Sequence, residues 1–421
     1  MSDLRLILIV SILLVFSFVL GFILASVFRR YRNERRYSQI DQLRDRFRSK
    51  LAQIDSITAI DRFSVSQWQS AVRKGSVEWV ALEDVIFEFA ERKGQKAFAR
   101  RLFAALGYTK HYQGQLSLRS AIDLSVAADK LGRIGDPSSM EALSKLLDHP
   151  KSEVSTVAFR ALCRIGKRDS LHRLLNALPR LMKNENISSK TIQTSLLLFE
   201  PWASATIIEY AGKTADPKIL ALLVETLIGF PAHKEMFDLA ITLVSHSDPE
   251  VRGKALRLLA REDNVSFSCD PAILQPLLSD PVWFVRLQAA KTIGRIKCDN
   301  FMAMLKKFAL DEKWQVRDSA AFALSELGES SIDTFLELME TPDKYAKESI
   351  CEEIQRSGYV LGLIDYLGDR ESDRKTKAKR ILQLMHQLGF SAPLRDAVEA
   401  NTSSPQVRSE IQSILNAGGA Q

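Results

Sequence analysis

The chain has 421 residues, of which 46% are apolar, and a formal net charge of +7. One compact core rarely accounts for this length, so we expect several domains or one repeat array, and the composition excludes a largely disordered chain. Residues 29–50 hold nine basic and three acidic side chains, which accounts for six of the seven net charges. The nearly neutral remainder gives no support to a nucleic-acid-binding face, and we expect no nucleic acid among the partners.

The N-terminal segment contains an apolar run, residues 6–28, without a charge or a proline. A helix of this length covers about 35 Å, enough to cross a hydrocarbon core of about 30 Å. A cleaved signal peptide is the alternative, but its positive charge would precede a shorter apolar region. The sequence therefore predicts a transmembrane anchor at residues 1–28, with membrane contact through residues 6–28.

A basic cluster follows the apolar run directly and consists of Arg29, Arg30, Arg32, Arg35 and Arg36. Positive charge on this side of a span places the following domain in the cytoplasm and the N-terminus outside, at the inner membrane. The arginines would then flank the membrane and attract anionic head groups. We expect residues 29–63 to form a basic juxtamembrane helix.

Apolar residues at heptad spacing follow in this predicted helix: Ile40, Leu43, Phe47, Ile54 and Ile57. Lys50 interrupts the apolar pattern in the middle heptad, so the segment is not a secure coiled coil. The spacing permits a weak homodimer through residues 40–57. The alternative, which we favour, is a simple helix that leads into the folded body.

Residues 64–119 also have helical patterns, as in "LEDVIFEFAERKG" from Leu82 to Gly94. They fit the repeat that follows poorly. A repeat array needs a terminal element to cover its otherwise exposed apolar face. We therefore predict a helical N-terminal cap at residues 64–119.

A repeating pattern begins near residue 120, in which a Val is followed by an Ala four residues later and by a Leu or Ile after four more. The clearest copies are Val154, Ala158 and Leu162; Val251, Ala255 and Leu259; Val285, Ala289 and Ile293; and Val316, Ala320 and Leu324. This spacing marks one face of a helix, and the central Ala allows a neighbouring helix to approach closely.

Weaker copies extend the register between residues 123 and 407 in steps of 30 to 34 residues. Each step has room for two helices and two turns, and Ser-Asp-Pro turns at 247–249 and 279–281 suit helix starts. The sequence predicts an all-α fold, an α-solenoid of about ten helical hairpins at residues 120–417. Residues 418–421 would form a short tail.

Two segments, "DPVWFVRLQAAKTIGRI" and "DEKWQVRDSAAFALSELG", resemble HEAT repeats, particularly the short HEAT-like or phycobilisome-lyase-type repeats. The resemblance implies a ladder between repeats, formed by an acidic turn residue and the Arg that follows the Val. The matching residues are Asp280 with Arg286 and Asp311 with Arg317, while Arg252 and Arg408 match the Arg position alone. The first copy has Ser155 in place of the Arg, so the ladder should be interrupted there.

The sequence contains no catalytic signature. The six histidines form no His-Glu dipeptide, which metal-dependent hydroxylases built from similar repeats use for iron, and "AGKT" at 211–214 lacks the first glycine of a phosphate loop. The four cysteines are scattered and are expected to be buried thiols in a reducing compartment. We expect no enzyme activity, no cofactor and no metal site.

One constellation remains as a candidate binding site. Trp283 and Trp314 lie 31 residues apart, each three residues before an arginine, Arg286 or Arg317, and Tyr345 lies near the corresponding place in the next repeat. These residues would form a stripe on the surface for a protein partner, since Trp and Arg are favoured at interfaces. The alternative, which the sequence favours, is that each Trp packs over the next turn and each Arg serves the ladder.

Two classes of function are compatible with these observations. The first is a membrane-anchored cytoplasmic HEAT-repeat scaffold for protein–protein interaction. Its resemblance to bacterial single-pass proteins of this layout implies a membrane enzyme such as an envelope glycosyltransferase as partner. The second is an enzyme subunit or a lyase-type chaperone that uses the groove of the solenoid. The absence of a convergent catalytic set favours the scaffold.

Overall fold

The computed structural model describes residues 2–52, 68–69, 72–92, 94–261, 270–370, 372–399 and 404–417. Every regular element in these stretches is a helix, which confirms the predicted all-α class. The chain divides into two compact units, Met1–Leu198 and Phe199–Gln421. The boundaries predicted for the anchor, the cap and the repeats stay predictions, and the tail at residues 418–421 lies outside the described residues.

The first unit contains a long N-terminal helix followed by shorter ones. Its helices are α1 (Ser2–Ala52), α2 (Val77–Glu91), α3 (Lys96–Ala105), α4 (Tyr108–Gln115), α5 (Ala121–Ile134), α6 (Met140–Lys145), α7 (Ser152–Ile165), α8 (Arg168–Lys183) and α9 (Ser189–Leu196). Short 3₁₀ turns at Pro137–Ser139 and Leu146–Asp148 flank α6.

The second unit consists of helices of 7 to 15 residues. They are α10 (Ala203–Ala211), α11 (Pro217–Leu227), α12 (Lys234–Leu243), α13 (Pro249–Leu259), α14 (Pro271–Leu278), α15 (Trp283–Arg295), α16 (Met302–Phe308), α17 (Trp314–Leu327), α18 (Ile332–Met339), α19 (Lys344–Arg356), α20 (Tyr359–Tyr366), α21 (Asp373–Gln387), α22 (Ala392–Glu399) and α23 (Pro405–Ala417). Turns at Asp299–Phe301 and Gly328–Ser331 are 3₁₀.

The structure overturns the prediction of a single-pass protein of the inner membrane. In the part of the chain that the structure describes, no helix is both long and apolar enough to cross a bilayer. The predicted orientation, with the N-terminus outside and the C-terminal domain cytoplasmic, is withdrawn together with the predicted anchor.

The arginines predicted to flank the membrane lie on α1, which continues past them without a break to Ala52. Arg29, Arg30, Arg32 and Arg35 are exposed, whereas the side chain of Arg36 lies outside the described ones. Arg30 pairs with Glu34 at 2.9 Å, and the guanidinium of Arg35 lies 4.5 Å from the ring centre of Tyr31. These contacts are local to the helix surface, and the role as a membrane flank is withdrawn with the anchor.

The segment predicted for homodimerisation packs within its own chain instead. Ile40 and Leu51 are buried where the C-terminal part of α1 lies against α2. Two salt bridges join these helices, Arg44 with Asp84 at 2.5 Å and Arg48 with Glu88 at 2.7 Å. Of the predicted heptad residues, Ile40 is thus buried in an intramolecular contact, and the structure does not support the homodimer. Ile54 and Ile57 lie outside the described residues.

The repeated Val, Ala and Leu or Ile positions form the cores of the two units. All twelve residues of the four clearest copies have no exposed surface. In the second unit these helices, α13, α15, α17 and α19, pack each against the next. The helical spacing therefore predicts the buried face correctly, because one residue every four positions keeps the same side of the helix inward.

Small residues set the distance between packed helices at two places in the described chain, once in each unit. A Cβ built at Gly132 of α5 would lie 2.5 Å from the Ala161 Cα of α7, and one at Gly294 of α15 would lie 2.6 Å from the Ala323 Cα of α17. Such distances leave no room for any side chain. Glycine is required there by the backbone of the neighbouring helix.

We expect Gly294→Ala to destabilise the protein by about 1–3 kcal/mol, because the new methyl group forces α15 and α17 apart. Gly253→Ala is the matched control, since its Cβ would meet only the Phe284 ring at 3.6 Å. Replacing this helical glycine by Ala should raise the free energy of unfolding by about 0.5–1 kcal/mol. Urea unfolding of the full chain measures both. A Gly294→Ala variant as stable as the parent would contradict the close packing.

Candidate partner-binding surface

The turns that precede α13, α15 and α17 begin with an aspartate that organises the backbone. Asp248 caps α13 directly, accepting hydrogen bonds from the backbone N–H groups of Glu250 and Val251 at 2.9 and 3.3 Å. Asp280 and Asp311 lie three residues before their helices and accept from the N–H groups two residues ahead at 2.9 and 2.8 Å. Because one oxygen suffices for this turn, the other remains available to a second partner.

Arg252 of α13 links its own turn to the next one. Its Nη1 donates to the carbonyl oxygens of His246 and Ser247, both at 2.9 Å. Its Nε and Nη2 donate to the two carboxylate oxygens of Asp280 at 2.8 and 2.9 Å. The side chains are only 13% and 7% exposed, so this bidentate ion pair is largely removed from water.

Arg286 of α15 repeats the arrangement one repeat later. Its Nη1 donates to the Asp280 carbonyl at 3.0 Å, and its Nε and Nη2 reach the Asp311 carboxylate at 3.1–3.2 Å. The resemblance implied pairs six residues apart, Asp280 with Arg286 and Asp311 with Arg317. The structure shows that the arginine uses the carbonyl six residues back and the carboxylate of the following turn.

Arg317 of α17 makes only the first half of this pattern. Its Nη1 donates to the Asp311 carbonyl at 2.8 Å. No carboxylate in the described part of the chain forms an ion pair with it, and its Nε is buried without an acceptor. The register explains the difference, because the position equivalent to Asp280 and Asp311, three residues before α19, is Thr341.

The remaining ladder positions lie elsewhere. Arg408 is partly buried in α23, and its backbone N–H donates to the Ser404 carbonyl at 3.0 Å. Ser155, which replaces the arginine in the first copy, is buried in α7 and its hydroxyl donates to backbone carbonyls of Lys151 and Ser152. The structure gives Ser155 no acidic partner among the described residues, so the helix satisfies this side chain locally.

The aromatic residues of the predicted stripe divide into two groups. Trp283 is partly buried and its ring meets the Phe284 ring edge-on, with centres 6.0 Å apart. Trp314 and Tyr345 are 60% and 68% exposed. The Arg317 guanidinium lies 5.9 Å from the ring centre of Tyr345, and Trp314 precedes Arg317 by one helical turn. We call Trp314, Arg317 and Tyr345 the aromatic surface.

A buried carboxylate, Glu353 of α19, escaped the sequence analysis. It is almost fully buried and contacts Arg356, one turn further along the helix. Burial raises the pKa of its carboxyl; Arg356 opposes this shift, whereas Asp318 and Glu326 add to it. Glu353 stands beside Glu352 on a helix rich in charged residues, and that pattern does not show which of the two carboxylates is buried.

The cysteines differ from their prediction in one place. Cys163 and Cys351 are buried and free, but Cys298 is disulfide-bonded, so the expectation of a thiol is wrong there. Cys269 lies outside the described residues. Across the described ranges, no cluster of His, Cys, Asp and Glu side chains is arranged to hold a metal ion.

A family model described as HEAT repeats matches residues 270–355. This stretch includes Asp280 and Asp311, the acidic residues of the two complete ladder pairs, and all three residues of the aromatic surface. The match confirms the resemblance to HEAT repeats there, and nothing in it supports the finer phycobilisome-lyase type. No curated protein matches the chain.

Solved structures show remote likenesses in fold. Kap121p is 15% identical with a TM-score of 0.46, and the alignment covers 87% of this chain and 50% of that one. Kap95p, solved with RanGDP, is 12% identical with a TM-score of 0.42 and coverages of 87% and 60%. An engineered protein is 18% identical with a TM-score of 0.30 and coverages of 84% and 98%. The chain thus spans half to three fifths of the two Kap chains.

The buried acid yields a test of pH dependence. Because the pKa of Glu353 is raised in the folded state, its contribution to stability is present below the pKa of the unfolded chain and is lost as pH rises through the folded value. We expect Glu353→Gln to raise the Tm at pH 7 and to lose this advantage as the pH is lowered toward 4. Thermal unfolding across this range measures it. An advantage that is independent of pH would contradict a buried, proton-binding carboxyl.

Proposed function

We propose that this chain is a HEAT-repeat scaffold that binds a protein partner through the aromatic surface. The observation that carries the proposal is the exposure of two aromatic side chains on consecutive repeats. Trp314 is 60% exposed and Tyr345 is 68% exposed, and Arg317 lies between them in the sequence. The surface lies within the stretch that matches HEAT repeats.

Exposed aromatic rings beside a guanidinium have the composition of an interface centre. Trp, Tyr and Arg are the residue types that most often dominate binding energy, because they bury large area with few rotatable bonds. The Arg317 side chain is also held in place by the Asp311 carbonyl, so little freedom is lost on binding. The arrangement supports protein recognition at this position.

The proposed surface is smaller than the stripe expected from the sequence. Arg286 is committed to the Asp311 carboxylate and Trp283 is partly buried, so the packing interpretation describes these two residues. The binding interpretation is retained for the three residues of the aromatic surface. Consecutive repeats thus use the same residue types in two different ways.

The proposal is one of binding without catalysis. It rests on the sequence, which lacks a His-Glu dipeptide, a complete phosphate loop or a convergent set of nucleophile and base. No observation in the described residues favours an enzyme subunit or a lyase-type chaperone. The finer expectation of an envelope glycosyltransferase as partner depended on the membrane anchor and is left out.

Photo-crosslinking tests the proposal directly. A photoreactive amino acid placed at position 345 of the full chain, in cells that express it, should join the chain to a discrete partner that mass spectrometry can identify. Trp314→Ala in the same chain should reduce this adduct roughly tenfold or more, since central interface aromatics contribute about 2 kcal/mol. The exposed position of Trp314 means that its replacement should leave the fold intact.

A matched control removes an exposed apolar side chain elsewhere. Ile122 on α5 is 76% exposed, and Ile122→Ala should leave the adduct at position 345 unchanged. An adduct that survives Trp314→Ala, or that Ile122→Ala reduces equally, would reject the aromatic surface as the binding site.

A further inference from the structure

The ladder of the second unit ends with Arg317, for which the described residues supply no carboxylate. Arg252 pairs with Asp280, which lies three residues before α15. Arg286 pairs with Asp311, which lies three residues before α17. By the same register Arg317 should meet the side chain of Thr341, which has no charge. The Thr341 hydroxyl donates instead to the Leu338 carbonyl at 2.7 Å.

Nearby carboxylates are engaged in other contacts. Asp343 caps α19, accepting from the backbone N–H of Ala346 at 3.1 Å. Glu348 pairs with Lys344 at 3.6 Å, and Glu312 lies 3.9 Å from the Nζ of Lys313. The basic neighbours thus have acidic partners, whereas Arg317 has none among the described residues. A partly buried guanidinium that has one carbonyl acceptor but no counter-charge among the described residues is costly, so an external carboxylate gains more here than at a solvated lysine.

We propose that Arg317 receives an aspartate or glutamate side chain of the protein partner, beside Trp314 and Tyr345. This inference rests on the proposed function and specifies its ligand: an acidic segment with an apolar neighbour that covers the aromatic rings. The incoming carboxylate supplies Arg317 with the counter-charge that Asp280 and Asp311 supply to Arg252 and Arg286. The partner therefore completes the third step of the ladder.

The fixed position of Arg317 favours this carboxylate over other anions and over a basic ligand. Nη1 is already held by the Asp311 carbonyl, as Nη1 of Arg286 is held by the Asp280 carbonyl. In Arg286 this contact leaves Nε and Nη2 directed toward one carboxylate. A planar carboxylate matches that fork, and a positively charged side chain would be repelled by the same guanidinium.

A displayed library of random twelve-residue peptides, selected on the immobilised full chain, provides the probe. We expect the selected peptides to be enriched in Asp or Glu next to a large apolar residue. Fluorescence polarisation then gives the Kd of one such peptide and of its Asp→Asn or Glu→Gln form. The neutral form should bind at least tenfold more weakly, and the affinity of the acidic form should fall with added salt.

The decisive variant gives the chain its own carboxylate at the vacant step. Thr341→Asp should pair with Arg317, weaken the acidic peptide at least tenfold and raise the Tm. Thr341→Asn is the matched control, because asparagine has the shape of aspartate without its charge. This variant should bind the acidic peptide with a Kd within about threefold of that of the parent chain. Neither substitution touches Arg317, Trp314 or Tyr345.

The outcomes separate this inference from the proposed function. If selected peptides depend on Trp314 but show no acidic preference, or bind Thr341→Asp unchanged, the acidic specificity is wrong and the aromatic surface stands. If no selected peptide depends on Trp314 or Arg317, both are overturned. Acidic enrichment that Thr341→Asp abolishes and Thr341→Asn preserves supports the inference.

Discussion

A buried guanidinium needs protein acceptors for its N–H groups and a counter-charge, because burial removes the water that would otherwise accept its hydrogen bonds and solvate its charge. In the second unit this requirement is met between consecutive repeats: Arg252 and Arg286 each take a carbonyl from their own turn and a carboxylate from the next. Each of these two pairs links one repeat of the second unit to its neighbour.

The same requirement connects packing with function. Where the next turn offers an aspartate, the arginine is saturated and its neighbour Trp283 is partly buried. Where the next turn offers Thr341, the arginine is left incomplete, and the flanking aromatic residues Trp314 and Tyr345 are exposed. A single change of residue at a repeated position therefore separates a structural repeat from a candidate recognition repeat. The close contact at Gly294 holds α15 near α17, the two helices that carry Arg286 and Arg317.

Much of the repeat architecture could be predicted because it depends on local periodicity. The spacing of Val285, Ala289 and Ile293 fixes the inward face, and that face is fully buried. The ladder residues could also be found by resemblance, but their pairing could not, because which carboxylate an arginine reaches depends on how the next repeat is placed. The gap at Thr341 becomes visible only when the helix starts are known.

Other features depended on information that a linear pattern does not contain. The apolar run at residues 6–28 and the arginines after it predicted an anchor, and the described helices do not provide one. The heptad residue Ile40 is buried where α1 meets the chain's own α2, since intramolecular contacts compete with self-association for the same apolar face. The disulfide at Cys298 and the buried Glu353 likewise reflect tertiary neighbours.

A double-mutant cycle on Arg252 and Asp280 tests the central claim most directly. Arg252→Met, Asp280→Asn and the double variant are unfolded in urea beside an equivalent cycle on the exposed pair Lys306 and Glu337. A buried pair that fixes the step between repeats should couple by more than about 1.5 kcal/mol, against less than about 0.5 kcal/mol for the exposed pair. Equal coupling energies in the two cycles would contradict a ladder that holds the repeats together.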